Sequence, residues 1–279
     1  MVICVAALQY PLGGPITLED KLHLFRRRPD FVCLPEYFPV RAADRTLREA
    51  ERCAAQRRAE LARLSQELQC VVIGGSMPQA TDGGYANTTT IFDRGEVAGS
   101  YQKVNPYGRE EERGIVPGRE YRVFVLGGVR IGVLICADVL SAEAFAAMHR
   151  LGAEVIFVPT VSPFRETDTI TEKDRRDAEI FVAGAQKARA YVVKTCGVGT
   201  LFGGRLQGRS GIFAPWGILD RVNPDGEDRK MILAEHLDIE EIREFKRLMD
   251  PAGLADDLPH TLPALRPVRT PNHVDIGSP

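Results

Sequence analysis

The stretch Val129-Arg130-Ile131-Gly132-Val133-Leu134-Ile135-Cys136-Ala137-Asp138 decides how this chain is read. Apart from Arg130 it is apolar up to Ile135, which predicts a buried strand over residues 129–135. A turn at Gly127-Gly128 and a second apolar run over 123–126 precede it, the pattern of a hairpin. The strand ends on a thiol, Cys136. Strand ends are where α/β folds place their sites.

Two more reactive residues share that placement. Glu36 follows an apolar run over 31–34, and Lys103 ends a strand predicted over 97–103. Taken singly, each has a plainer reading. A free cysteine is most often a packed core residue. A glutamate after a strand is usually ion-paired or exposed, and a lysine at a strand end commonly protects an edge. Brought together, the three form an acyl-transfer apparatus. The thiolate is the nucleophile. The carboxylate takes the thiol proton and hands it to the leaving amine. The ammonium stabilises the oxyanion and holds the thiolate pKa down.

Further strands are predicted over 2–8, 71–73, 88–92, 155–159, 191–195, 211–214, 218–221 and 231–235. Helices are predicted over 18–28, 43–69, 142–151, 174–188 and 239–248. This alternation, with interposed hairpins, implies a mixed α/β layered domain over 1–250. Two sheets packed between helix layers account for the many wholly apolar strands. A Pro-rich tail over 251–279 is expected to be irregular and to lie over a neighbouring surface. The polar segment over 160–173 is expected to loop beside the site, either as a lid or as a plain solvated loop.

The composition of the 279-residue chain is that of a soluble globular protein, 44% hydrophobic and 27% charged. Its net charge of −2 gives no electrostatic case for nucleic acid or an anionic membrane as partner. No apolar run approaches transmembrane length. The six cysteines form no CxxC pair and no secretory signal leads the chain, so a cytoplasmic protein with reduced thiols is expected. The five histidines are dispersed, without a metal-ligand spacing, so no metal is expected.

The words around the three residues resemble the nitrilase, or carbon–nitrogen hydrolase, superfamily. Leu34-Pro35-Glu36 is similar to the motif that carries its catalytic Glu, Tyr101-Gln102-Lys103 to that of its Lys, and Gly132 to Asp138 to that of its nucleophile. Their order is also the family's. Ala7-Leu8-Gln9, Asn87-Thr88-Thr89, Glu143, Gly152-Ala153-Glu154 with Pro159, and Gly208-Arg209-Ser210 with Pro215 and Gly217 extend the resemblance over about residues 2–240.

The resemblance implies a four-layer α-β-β-α sandwich that forms a homodimer or a higher homo-oligomer and needs no cofactor. It implies catalysis by Glu36, Lys103 and Cys136, with the Ala137 backbone N–H at the oxyanion. It also implies a second glutamate before Pro117-Gly118. The spacing favours Glu111, with Glu110 and Glu112 as alternatives. The expected substrate is a small amide. N-carbamoyl amines and nitriles are the runners-up, and acyl transfer to an acceptor other than water stays open. Cys-Ala-Asp resembles the amidase and carbamoyl-hydrolase branches more than the Cys-Trp-Glu of nitrilases. The sequence departs from the family at Ala137, where larger residues are common, and at Arg209, where His is common. A non-catalytic binding protein on the same fold is the rival class. A dinucleotide loop at Gly197, Gly199, Gly203 and Gly204 lacks the helix that would receive the pyrophosphate.

Overall fold

The computed structural model describes residues 1–250 and 259–263. The first half of the chain builds β1 (Val2–Pro11), α1 (Leu18–Arg27), β2 (Phe31–Cys33), α2 (Leu47–Arg52), α3 (Ala54–Leu68), β3 (Val71–Ile73), β4 (Met77–Thr81), β5 (Gly84–Asp93) and β6 (Glu96–Gln102). Next come α4 (Arg109–Glu112), β7 (Glu120–Leu126), β8 (Val129–Val133), α5 (Ala142–Arg150), β9 (Val155–Thr160), α6 (Ile170–Asp177) and α7 (Ala183–Ala188). The chain then forms β10 (Tyr191–Leu201), β11 (Gly204–Leu206), β12 (Gly211–Ala214), β13 (Gly217–Arg221), β14 (Met231–Asp238), α8 (Ile239–Met249) and β15 (Thr261–Pro263).

Two sheets result. In the first, β1 pairs antiparallel with β14 and parallel with β2, and β3 and β5 lie further outward. In the second, β8, β9 and β10 run parallel, with β7 and β12 antiparallel beside them. The sheets join where the end of β1 meets β10, at Tyr10 opposite Gly197.

The continuous apolar runs have a simple cause: at β1, β2, β3 and β9 both faces of the sheet are covered. Val5, Ala7, Phe31 and Cys33 point into the core between the sheets, where the Phe31 and Phe157 rings lie 5.7 Å apart. The alternate residues Ala6, Leu8, Val32 and Leu34 point the other way, onto Leu24 of α1 and Leu61 and Leu64 of α3. On the second sheet, α5 and α7 form the outer layer, with Ala144, Met148 and Ala185 joining the same core. The architecture is the expected α-β-β-α sandwich.

Several local expectations need correction. The helix predicted over 43–69 is two helices. Thr46 opens α2 with a capping box to Glu49, so the chain before it is not helical, and the helix is interrupted at Cys53. The helix predicted from residue 174 starts at Ile170, where Thr169 and Glu172 form another capping box, and it carries a π-helical turn at Ala178–Val182. Thr261–Pro263, in the tail expected to be irregular, pairs antiparallel with β7. The rest of that tail, 251–258 and 264–279, lies outside the described residues. Among the described residues no helix is long and apolar enough to cross a membrane.

Gly75 packs directly under the Pro35-Glu36 turn and leaves no room for a side chain. Its φ is +67°, and a Cβ there would sit 2.1 Å from the Pro35 carbonyl oxygen. Gly75→Ala is expected to cost on the order of 1–3 kcal/mol from backbone strain alone. A lowered urea midpoint, with an unchanged slope, would register that loss.

Candidate active site

Three strand ends converge. Leu34 still donates its N–H to the Ile73 carbonyl, at 3.0 Å, before the chain turns at Pro35-Glu36. Tyr37 takes a left-handed φ of 54° there, and its N–H is held by Ser76 Oγ at 3.1 Å. Lys103 lies just past β6, pinned by N–H donation to the Asn87 carbonyl at 2.9 Å. Cys136 opens a 3-10 turn over Cys136–Leu140, with φ at +45°. A non-glycine residue in that region costs energy and persists only where the surroundings hold it.

What holds it is Asp138, a wholly buried carboxylate. It accepts from the Ile135 N–H at 2.9 Å, the Asn105 N–H at 2.7 Å, Asn105 Nδ2 at 3.1 Å and the Tyr101 hydroxyl at 2.8 Å. The strand before the cysteine is thereby tied to the segments on either side of Lys103.

Glu36 and Lys103 are 1% and 2% exposed. Lys103 Nζ donates to Glu36 Oε1 at 2.8 Å and to Glu110 Oε2 at 2.6 Å. Asn87 Nδ2 donates to both carboxylates at 2.9 Å. The other Glu36 oxygen accepts from the Val161 N–H at 3.1 Å. The Val161 carbonyl in turn receives the Cys136 thiol, with Sγ at 3.4 Å. Cys136 stays half-buried, and Ala137, next along the turn, is buried. N–H groups at the start of such a turn have no partner within it, so the one on Ala137 is available to an oxyanion.

The second glutamate beside Lys103 is therefore Glu110 and not Glu111. In the single turn of α4 only one side faces inward. Glu110 takes it, accepting also from the Tyr37 hydroxyl at 2.9 Å and the Tyr107 N–H at 3.0 Å. Glu111 and Glu112 are exposed.

The environments drive the two carboxylates apart. Burial pushes Glu36 up, with the Glu110 charge adding to it, and the pull of Lys103 does not cancel this. Burial also opposes the charge on Glu110, but Lys103 and the hydrogen bonds from Tyr107 and Asn87 hold its carboxyl below the usual range. Burial works against the Lys103 ammonium too, yet Glu36, Cys136 and Glu110 together raise its pKa. The expected thiolate-stabilising effect of Lys103 is present but outweighed. Burial first, then the Glu36 charge, leaves the Cys136 thiol well above its ordinary pKa. A thiol made harder to ionise thus lies beside a carboxylate more basic than usual.

Arg209 does not touch the triad. Its buried guanidinium reaches Asp177 at 2.9 Å, Glu227 at 3.0 Å and Asp174 at 2.6 Å. Lys194 also binds Asp177, at 2.9 Å, and Lys173 binds Glu227, at 2.6 Å. Gln207, two residues before Arg209, donates its N–H to the Ser162 carbonyl at 2.9 Å. The ion network thus anchors the segment that holds Val161 in place.

Sequence reasoning placed Glu36, Lys103 and Cys136 together, and the structure brings them together. It missed Val161, whose contribution is entirely backbone and leaves no mark on residue type. It also missed Tyr37 and the role of Asp138, although Asp138 stands within the Cys136 motif. Among the described residues no cluster of His, Cys, Asp and Glu is arranged to hold a metal ion.

The sequence profile of the carbon–nitrogen hydrolase family matches residues 17–247, and the chain belongs to that family. The omega-amidase of Xenopus tropicalis is 25% identical over 234 residues, covering 77% of this chain and 79% of that protein. A carbon–nitrogen hydrolase from Helicobacter pylori G27 has the same fold, with a TM-score of 0.75 at 23% identity over 89% of this chain and 93% of its own. An amidase mutant from Nesterenkonia sp. AN1, carrying the acetamide moiety of fluoroacetamide on its active-site cysteine, gives a TM-score of 0.66 at 21% identity over 90% and 95%.

The geometry separates the two candidate carboxylates by experiment. Glu110→Gln removes the charge that holds Lys103 and is expected to lower kcat/KM on the order of 10²-fold or more. Glu111→Gln, at an exposed position, is expected to stay within about two-fold of the parent. Equal losses in the two variants would reject the assignment.

Proposed function

We propose that the protein hydrolyses a carbon–nitrogen bond of a small amide through a thioester on Cys136. The observation that carries this reading is the Glu36 carboxylate. It is buried and more basic than usual, hydrogen-bonded to Lys103, Asn87 and Val161, and within reach of the Cys136 thiol.

Two buried carboxylates whose environments push their pKa values in opposite directions are suited to different tasks. Glu36, pushed up, serves as the proton carrier. Glu110, held down, stays anionic and keeps Lys103 charged and oriented. As Cys136 Sγ attacks the amide carbon, its proton passes to Glu36 Oε2. Charge develops on the former carbonyl oxygen, where the Lys103 ammonium and the Ala137 N–H receive it. When the C–N bond breaks, Glu36 returns the proton to the departing nitrogen, and amine or ammonia leaves. Water then attacks the thioester and gives a proton to Glu36. The C–S bond breaks, the sulfur recovers that proton, and the carboxylic acid is released.

The Cys-Ala-Asp word favours an amide or an N-carbamoyl amine over a nitrile, and the amidase names of two of the relatives above favour the amide of these two. The acetamide moiety of fluoroacetamide carried on the active-site cysteine of the Nesterenkonia enzyme supports a nucleophilic cysteine on this fold.

The test is ammonia release from aliphatic and aromatic amides, ω-amides, N-carbamoyl compounds and nitriles, with Cys136→Ala alongside. Turnover of amides that disappears in the variant is expected; undiminished turnover in Cys136→Ala would reject the mechanism.

The pH profile supplies a second check. Glu36 must be ionised to accept the proton, and its pKa is raised. The acid limb of kcat/KM is therefore expected at a pH above the ordinary carboxylate value of about 4.3. Rate should rise as pH increases through that limb. A limb at the ordinary value would contradict the role given to Glu36.

A further inference from the structure

A cleft of ≈ 290 Å³ lies away from the triad, where the turn after β1 and the turn after Glu36 meet α3. Glu36, Lys103 and Cys136 do not line it. Four cationic side chains do, namely Lys21, Arg41, Arg57 and Arg63, against one carboxylate, Glu60. In a chain of net charge −2 this excess is local.

The charges inside the cleft are not matched to one another. Lys21 is paired with Glu67 at 2.6 Å, and Glu60 accepts from Gln56 Nε2 at 2.9 Å. Among the described residues, no carboxylate forms an ion pair with Arg41, Arg57 or Arg63. Arg41 and Arg63 sit at the rim. Arg57 is different: it is 7% exposed, and the acceptor its guanidinium meets is the neutral Pro39 carbonyl. A guanidinium carries five N–H donors and never loses its charge. Burying it without a counter-charge is costly. Donors beyond the one on Pro39 belong to a side chain that lines the cleft, so an anion seated there would meet a positive charge already withdrawn from water.

We propose that this cleft binds a small oxyanion, with the Arg57 guanidinium as its floor and Arg41 and Arg63 closing over it. The forked donors of arginine suit a carboxylate or a phosphate group, taken up through paired hydrogen bonds. The volume sits at the lower end of ligand pockets, which selects an anion of phosphate or short dicarboxylate size. The site is independent of the reaction proposed above and does not require it.

The test is calorimetric titration of the full chain, at low ionic strength and in a buffer free of polyvalent anions, with inorganic phosphate and separately with succinate. Saturable one-site binding of at least one of them is expected, and the anion that binds identifies the geometry the cleft prefers. The variant Arg41→Gln/Arg63→Gln changes rim side chains only and is expected to weaken that binding about ten-fold or more. Arg57→Gln is expected to abolish it, with circular dichroism confirming that the variant folds; should it not fold, the rim double variant carries the test alone. Absence of saturable binding by both anions, or unchanged affinity in Arg41→Gln/Arg63→Gln, would overturn the proposal.

Discussion

The Lys103 ammonium, enclosed between the Glu36 and Glu110 carboxylates at 2.8 Å and 2.6 Å, is the interaction around which the site is organised. Three charges withdrawn from water must be arranged well or they destabilise the fold. Here one cation lies between two anions, and Asn87 bridges both carboxylates from the other side. The arrangement is asymmetric. Glu110 also accepts from a phenol and a backbone N–H, so its charge is well supported. Glu36 accepts from the Val161 N–H at its second oxygen, and is the more basic of the pair. One buried lysine thereby sets two glutamates to different work.

Holding that cluster in place requires a rigid frame, and the packed sheets supply it. Glu36, Lys103 and Cys136 each come within three residues of the end of a strand. Their backbones are fixed by the core before the reactive side chains begin. The strained φ of Cys136 is consistent with this. The Asp138 carboxylate, with four donors converging on it, holds the elbow where the thiol turns out of the sheet. Val161 completes the enclosure from the end of β9, touching Glu36 through its N–H and Cys136 through its carbonyl. The Arg209 network, with its buried Asp177 and Glu227, secures the segment that pairs with Ser162 beside it. Arginine can occupy this position because three carboxylates surround it.

Residue order alone was enough to establish most of the strands, their burial on both faces, and the succession Glu36, Lys103, Cys136 along three strand ends. Those features are local. An unbroken apolar run reports two covered faces directly, and a reactive residue immediately after such a run inherits a fixed place at the strand end. The family motifs sharpened this because they lie within the same short words. Helix boundaries were less legible, since the capping boxes at Thr46 and Thr169 override the apolar periodicity around them.

Which glutamate supports the lysine was settled by the folded chain and not by its residue order. Glu110, Glu111 and Glu112 are chemically alike and adjacent, and the rotation of a single helical turn points one inward and leaves the others in solvent. The same holds for Val161, where the functional atoms are backbone and any residue type would present them. It holds as well for the upward shift of the Cys136 thiol, which depends on the balance between burial, Glu36 and Lys103. Each of these rests on distances between segments far apart in the chain, and such distances leave no trace in local pattern.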